Sequence, residues 1–332
     1  SNDDDTMKLL TNFTIEEFNE LYDIIGPTIS KGIHKDSLIT ARSRFLMTLC
    51  FCKHNEKWKK LGFYFGLNYS YAQRIVIQVI VKTHQLFCSS FIKWISVVSR
   101  ITDYNLYNED WPTLLGSLDA TVQIIRRPSD SNVQQAFYSG KHKFCCFKTQ
   151  ALVSPVGLLI HCSKPVEGSI HDFKLFSMSN LEELIFKENE KCQLLLSNNC
   201  ITIADAGYQG LSKKIPGAVT PHKRSKSAGL SKEKIEYNKK ISRSRIIVEN
   251  WFACEKSLWA VIGSKFRLNL SIYEPFWLFC ASLTNFHIQK HPMRNMERGI
   301  TTREIEDSED EYQSEQEEEE EDEFTTLTES DS

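Results

Sequence analysis

The sequence predicts a mixed α/β fold, a sheet flanked by helices, preceded by an all-α unit. Three observations carry this. Apolar and β-branched runs at 114–125, 143–153, 158–162 and 201–204 are separated by turn signals. Long segments before residue 90 and after residue 230 space their apolar residues as helices do. After residue 112 the strand-type and helix-type segments interleave, the pattern of a layered α/β unit. The chain has 332 residues, of which 41% are hydrophobic and 25% charged, enough for a large core.

The elements follow in order. Residues 1–40 form an N-terminal helical segment, opening with the acidic scrap Asp3-Asp4-Asp5. Thr14 with Glu17 three residues on is a capping-box pattern, and Phe13, Phe18, Leu21, Ile24 and Ile25 give that helix its apolar face. Gly26-Pro27 is expected to end it.

Residues 41–87 read as three helices, over 42–53, 56–65 and 70–85. The turn Gly66-Leu67-Asn68 separates the last two at helix-turn-helix spacing. Gly62 stands where the two helices need a small residue. Leu61, Phe65, Leu67, Ala72 and Ile75 would form their shared core, and Asn68 or Ser70 would cap the last helix. Tyr69, Tyr71, Gln73, Arg74 and Gln78 are left to face a nucleic-acid groove, unless the unit is a plain helical bundle.

Residues 88–111 read as a linker with a helix. Residues 112–292 hold the interleaved unit: strands at 114–125 and 143–153, a turn at 154–157, a return strand, a helix over 170–187 capped by Ser169, and strands at 201–204 and near 218–220. A long helix over 231–259 and a last one over 273–290 close it. Residues 293–332 read as a disordered acidic tail.

Charge is divided sharply along the chain. Residues 302–332 hold 16 Asp/Glu and one basic residue, Arg303, leaving 39 Lys/Arg against 27 Asp/Glu in the rest. A basic body suggests a polyanionic partner. No run of 18 apolar residues occurs, so a membrane partner is not expected, nor is a signal peptide. The ten cysteines include no C-x-x-C pair and favour a reducing, intracellular compartment.

Asp119 sits inside the first strand, where a charge is costly unless paired or bound to a cation. Asp205 ends a second strand, and Glu249 lies on the long helix. Each alone reads as a cap or a surface charge. As one site they suit two Mg²⁺ or Mn²⁺ ions, which take oxygen ligands and serve phosphodiester chemistry. Arg245, four residues before Glu249, shares its helix face. Asp172 is a fourth carboxylate, read as support together with His171. Lys256, seven residues past Glu249, returns to the same face and suits a phosphate backbone.

The densest basic zone surrounds the segment after Asp205. It holds Lys213, Lys214, His222, Lys223, Arg224, Lys226, Lys232 and Lys234, continued by Lys239, Lys240 and Arg243. Such runs are usually solvated faces; beside a phosphodiester site they point to backbone binding.

Several motifs in order resemble the DDE-superfamily transposases of PIF/Harbinger type and their bacterial insertion-sequence relatives. Leu118-Asp-Ala-Thr121 with Arg127-Pro128 resembles the first-aspartate strand. Tyr138-Ser-Gly-Lys-His-Lys143 with Lys148 resembles the basic segment, in which Lys141 and Lys143 would contact DNA. Gly168-Ser-Ile-His-Asp-Phe173 with Phe176, Ala204-Asp-Ala-Gly-Tyr208 with Gly210, and Asn238 with Arg245 and Val248-Glu249 match the later motifs. Ala120, where the Harbinger branch usually has glycine, and His142 followed by two cysteines depart from the pattern.

The resemblance implies an RNase H-like nuclease unit and metal-dependent cleavage and transfer of double-stranded DNA by Asp119, Asp205 and Glu249. It also implies homo-oligomers on transposon ends and target, a nuclear location with a Myb-like partner in the eukaryotic branch, and a cytoplasmic one in a bacterium. The alternatives are a domesticated DNA-binding protein that cuts nothing and a nuclease that does not transpose. If the acidic tail mimics DNA, deleting residues 302–332 will tighten non-specific DNA binding at low salt; unchanged affinity in a filter-binding titration removes that role.

Overall fold

The computed structural model describes residues 2–34, 37, 39–103, 108, 110–223 and 229–293. The acidic opening is helical: α1 spans Asn2–Thr11. Helix α2, Ile15–Ser30, starts at the expected capping box, with Glu17 N donating to Thr14 Oγ1 at 3.2 Å and Thr14 N to Glu17 Oε2 at 2.8 Å. It continues one turn past Pro27, against the sequence expectation. Ile29 is buried beside Ile25, and that burial holds the turn the proline weakens.

Helices α3 (Ala41–His54), α4 (Trp58–Tyr64) and α5 (Tyr69–Phe91) follow. Gly66 takes a positive φ in the turn before α5. Asn68 caps α5 by accepting from Ser70 N at 3.0 Å. At Gly62 a Cβ would stand 2.6 Å from the carbonyl oxygen of Leu67, so the two helices meet there with no room for a side chain. Helix α5 outruns its expected end because Phe87 is buried and Phe91 packs on the core. Among the described residues, the region after it carries only the short α6, Val97–Thr102.

Strand β1 spans Leu114–Ile124. Asp130 caps α7 (Ser131–Phe137), accepting from the backbone of Asn132 and Val133. Strands β2 (Tyr138–Ser139), β3 (Phe144–Val153), β4 (Leu159–Cys162) and β5 (Val166–Glu167) come next. The helix expected over 170–187 is two: α8, Asp172–Met178, and α9, Leu181–Leu196. Asn180 sits at the break, its Oδ1 2.9 Å from His161 Nε2, and this contact outside the helix competes with continuing it. Ser169 caps neither; its N–H donates to Ala136 O.

Strand β6 (Ile201–Ala204), a one-turn 3₁₀ segment (Ala206–Tyr208), α10 (Leu211–Lys214) and β7 (Ala218–Val219) lead to α11 (Lys232–Leu258), α12 (Ala260–Gly263) and α13 (Tyr273–Lys290). The sheet order is β2-β3-β1-β6-β7, with β4 and β5 also pairing with β3. Strands β1 and β3 are antiparallel, β1 and β6 parallel. This curled mixed sheet with flanking helices is consistent with an RNase H-like unit.

One core lies between the sheet and α8–α9, around Leu118, Leu152, Phe176 and Ile185. A larger one runs from α11 and α13 into α2, α3 and α5. Asn285 knots it: it accepts from Leu159 N at 2.9 Å and Trp251 Nε1 at 3.0 Å, and donates to the carbonyls of Phe91 and Leu159. Among the described residues, no helix is long and apolar enough to cross a membrane. Replacing Gly62 by alanine is expected to cost about 1–3 kcal/mol in a urea unfolding titration, because a backbone oxygen blocks the new methyl group.

Candidate active site

Parallel pairing of β1 with β6 sets the first half of the site. Leu118 stands opposite Ala204, so Asp119 and Asp205 emerge side by side. Helix α11 crosses this edge, tied down where Ser117 Oγ donates to Ser244 O at 2.8 Å. Arg245 is the next residue, and Glu249 is one turn further on.

The Arg245 guanidinium touches all three acids. Its Nη1 lies 2.8 Å from Asp205 Oδ1, and its Nη2 lies 3.3 Å from both Asp119 Oδ2 and Glu249 Oε1. The sequence had placed Arg245 on the Glu249 face of its helix, to steady that acid or to hold a phosphate. Reaching the aspartates needs β1, β6 and α11 in register, which no spacing along the chain reveals.

Burial dominates the electrostatics. It pushes the Asp119 carboxyl up to about 6; Arg245 opposes this, Asp205 and Glu249 add to it, and the Ala120 N–H at 2.7 Å opposes it. Burial also works against the charge on Arg245, yet the three carboxylates hold its pKa above the ordinary value. Burial lowers Lys256, with Glu255 and Asp119 raising it, so this lysine sits partly inside, next to the acids.

Among the described residues, no three His, Cys, Asp or Glu side chains are arranged as a metal centre. The carboxylates are gathered on a guanidinium. Their chemistry nonetheless suits a hard divalent cation, with oxygen donors only and no sulfur or imidazole among them.

The remaining candidates scatter around this centre. Asp172 pairs with Lys148 Nζ at 2.9 Å. Arg74, Gln78, Lys141, Lys143, Lys223 and Lys239 are exposed. Tyr71 and Gln73 are half-buried, and Tyr71 receives a hydrogen bond from Arg44 at 3.2 Å. Lys240 faces Asp110 at 3.5 Å, and Arg243 faces Glu236 at 3.2 Å. Arg224 and Lys226 lie outside the described residues, as does the acidic tail.

Three features carry more than the sequence reading gave them: Asn238 and Tyr208 stood there only as motif residues, and Glu255 was not singled out. Asn238 clasps the exit segment, accepting from His222 N at 2.9 Å and donating to His222 O at 3.0 Å. Tyr208 is fully buried. Glu255 is fully buried too, with neither carboxyl oxygen hydrogen-bonded. Glu255 falls six residues past Glu249, on a different face of α11, and the helical period carries that signal.

The chain belongs to the DDE superfamily of endonucleases, whose sequence family it matches over residues 118–285. It is similar to a probable transposase for insertion sequence element IS702 from Microchaete diplosiphon, at 31% identity over 197 residues. That match covers 59% of this chain and 64% of the relative, just short of two thirds of the relative's length. It supports the bacterial insertion-sequence side of the resemblance; the Harbinger branch and a nuclear location draw nothing from it. No solved structure matches the chain.

Burial pushes the Glu255 carboxyl up to about 8, from an ordinary 4.5. The unfolded chain therefore releases this proton above about 4.5 while the folded one keeps it to about 8, and stability falls with pH across that window. Glu255→Gln is expected to flatten this fall in denaturation curves from pH 4 to 8, with a gain on the order of a few kcal/mol at pH 8. Equal pH dependence in the two proteins would show that Glu255 is not held neutral.

Proposed function

We propose that this protein is a transposase that cleaves DNA strands and transfers the freed 3′ ends, using Asp119, Asp205 and Glu249 to hold divalent cations. The convergence of these three carboxylates on one guanidinium carries the reading. Side chains 86 and 44 residues apart in sequence would otherwise have no reason to share a partially dry pocket. Family membership supports the same reading, since DDE endonucleases generally use divalent metal ions.

Bound Mg²⁺ or Mn²⁺, two ions in this reading, would activate the attacking oxygen and steady the leaving one. The chain's own residues do the rest. Asp119 and Asp205 form a rigid pair because adjacent strands fix their backbones. Glu249 rides on α11 and is the most exposed of the three, with a side chain 53% accessible against 19% for Asp119. It is thus the acid with most freedom to adjust. Arg245 neutralises the cluster, and with the acids otherwise engaged its guanidinium suits a phosphate oxygen. Lys256 adds positive charge beside Asp119.

DNA binding in this reading draws on two surfaces. Lys223, Lys239, Lys141 and Lys143 offer exposed charge for the backbone. Arg74 and Gln78 offer the exposed face of α5, in a unit whose close approach at Gly62 suits a helix-turn-helix. Joining two transposon ends would bring two copies together on DNA.

Asp119→Ala and Glu249→Ala should each abolish Mg²⁺- or Mn²⁺-dependent nicking of supercoiled plasmid, a loss of at least about 10³-fold, while circular dichroism stays native. Cleavage that persists in both variants removes the assignment. A wild-type protein that binds DNA tightly and never nicks it favours the domesticated DNA-binding alternative.

A further inference from the structure

Outside the three acids, the densest unexplained chemistry lies behind Asp205. Lys148 on β3 and Asp172 at the start of α8 form a partly buried ion pair, Nζ to Oδ1 at 2.9 Å. The other oxygen of Asp172 rests on the backbone just after Asp205. A Cβ at Gly207 would stand 2.5 Å from Asp172 Oδ2. Glycine at 207 thus lets a charged side chain press directly on the turn that carries Asp205.

Tyr208 completes the cluster. Its side chain is 0% exposed, and its hydroxyl has no hydrogen-bond partner. A buried hydroxyl left so costs about 1–3 kcal/mol, which a fold keeps only where the group has a use. Burial raises the phenol pKa well above its ordinary value. The charges of Asp172, Asp119 and Asp205 add to this, in that order, and Arg245 opposes it. A protonated phenol facing carboxylates is a donor, and Asp172 is the carboxylate whose charge it feels most.

We propose that Tyr208, Asp172 and Lys148 are positioning residues for Asp205. Lys148 fixes Asp172 and Asp172 bears on the turn at Gly207; with a cation bound, the Tyr208 hydroxyl, unpartnered here, donates to Asp172, and the 206–208 turn held between them sets the direction of the Asp205 carboxylate. This rests on reading Asp119, Asp205 and Glu249 as a cation-binding set. None of the three touches the cation or DNA; each acts through the backbone of Asp205. The need for them follows from the site's construction. Asp119 lies mid-strand, paired with Ala151 of β3, whereas Asp205 lies just past the end of β6, where the chain enters the 206–208 turn. Side chains that hold a ligand in place commonly change metal affinity about 10–100-fold when lost.

The test is Mn²⁺ binding to the full chain, read by the electron paramagnetic resonance of free Mn²⁺, beside thermal melting without metal. Tyr208→Phe keeps the ring and removes only the O–H. It should weaken Mn²⁺ binding about tenfold with no loss of metal-free melting temperature. Lys148→Met, on a different strand, should weaken binding similarly, and Lys148→Arg should restore it. A purely packing role would instead lower the melting temperature and leave the affinity alone.

Wild-type affinity in Tyr208→Phe and Lys148→Met, alongside loss of Mn²⁺ in Asp119→Ala, overturns the proposal and leaves the triad standing. Mn²⁺ binding that Asp119→Ala does not change overturns the triad itself, and the proposal with it. Asp172→Asn losing Mn²⁺ as completely as Asp119→Ala, with Tyr208→Phe silent, would make Asp172 a ligand and overturn the bracing role.

Discussion

The Arg245 guanidinium is the constraint around which the site is organised. Three carboxylates brought to one place repel each other, and burial of Asp119 makes that repulsion expensive. A planar group with several fixed donors can answer three acids from one side chain. Three elements must be in register for it to do so: β1 beside β6, with α11 laid across their ends. A shift of one residue along β1 would turn Asp119 to the other face of the sheet.

That register is held from a distance. The long helix α11 packs through Trp251 into the same core as α13 and α5, and Asn285 links α11, β4, α13 and the end of α5 with four hydrogen bonds. The helices before residue 92 therefore share the support of the edge that carries the acids. The second core, on the opposite face of the sheet, fixes α8 and thereby Asp172. The acids stand at the meeting of two packed layers, each supplied by parts of the chain far apart in sequence.

Much of this was legible in the residues. The capping box at Thr14 and Glu17, the turn at Gly66, the cap at Asn68 and the span of α13 all follow from local chemistry, and local chemistry decides them. Asp119, Asp205 and Glu249 stood out because a carboxylate within or beside an apolar run needs a reason. The errors came where distant contacts outweigh local preference. Pro27 does not end α2 because Ile29 is buried, and one helix after Gly168 becomes two because Asn180 turns to His161.

The sequence by itself determined the element types, the candidate acids and the imbalance between a basic body and an acidic end, since these depend on neighbours within a few residues. The tertiary structure alone decided that one arginine serves three acids, that Asp172 leans on Gly207, and that Tyr208 and Glu255 are sealed from water. Those facts depend on which strands pair and which helix covers them, and pairing is a property of the whole folded chain.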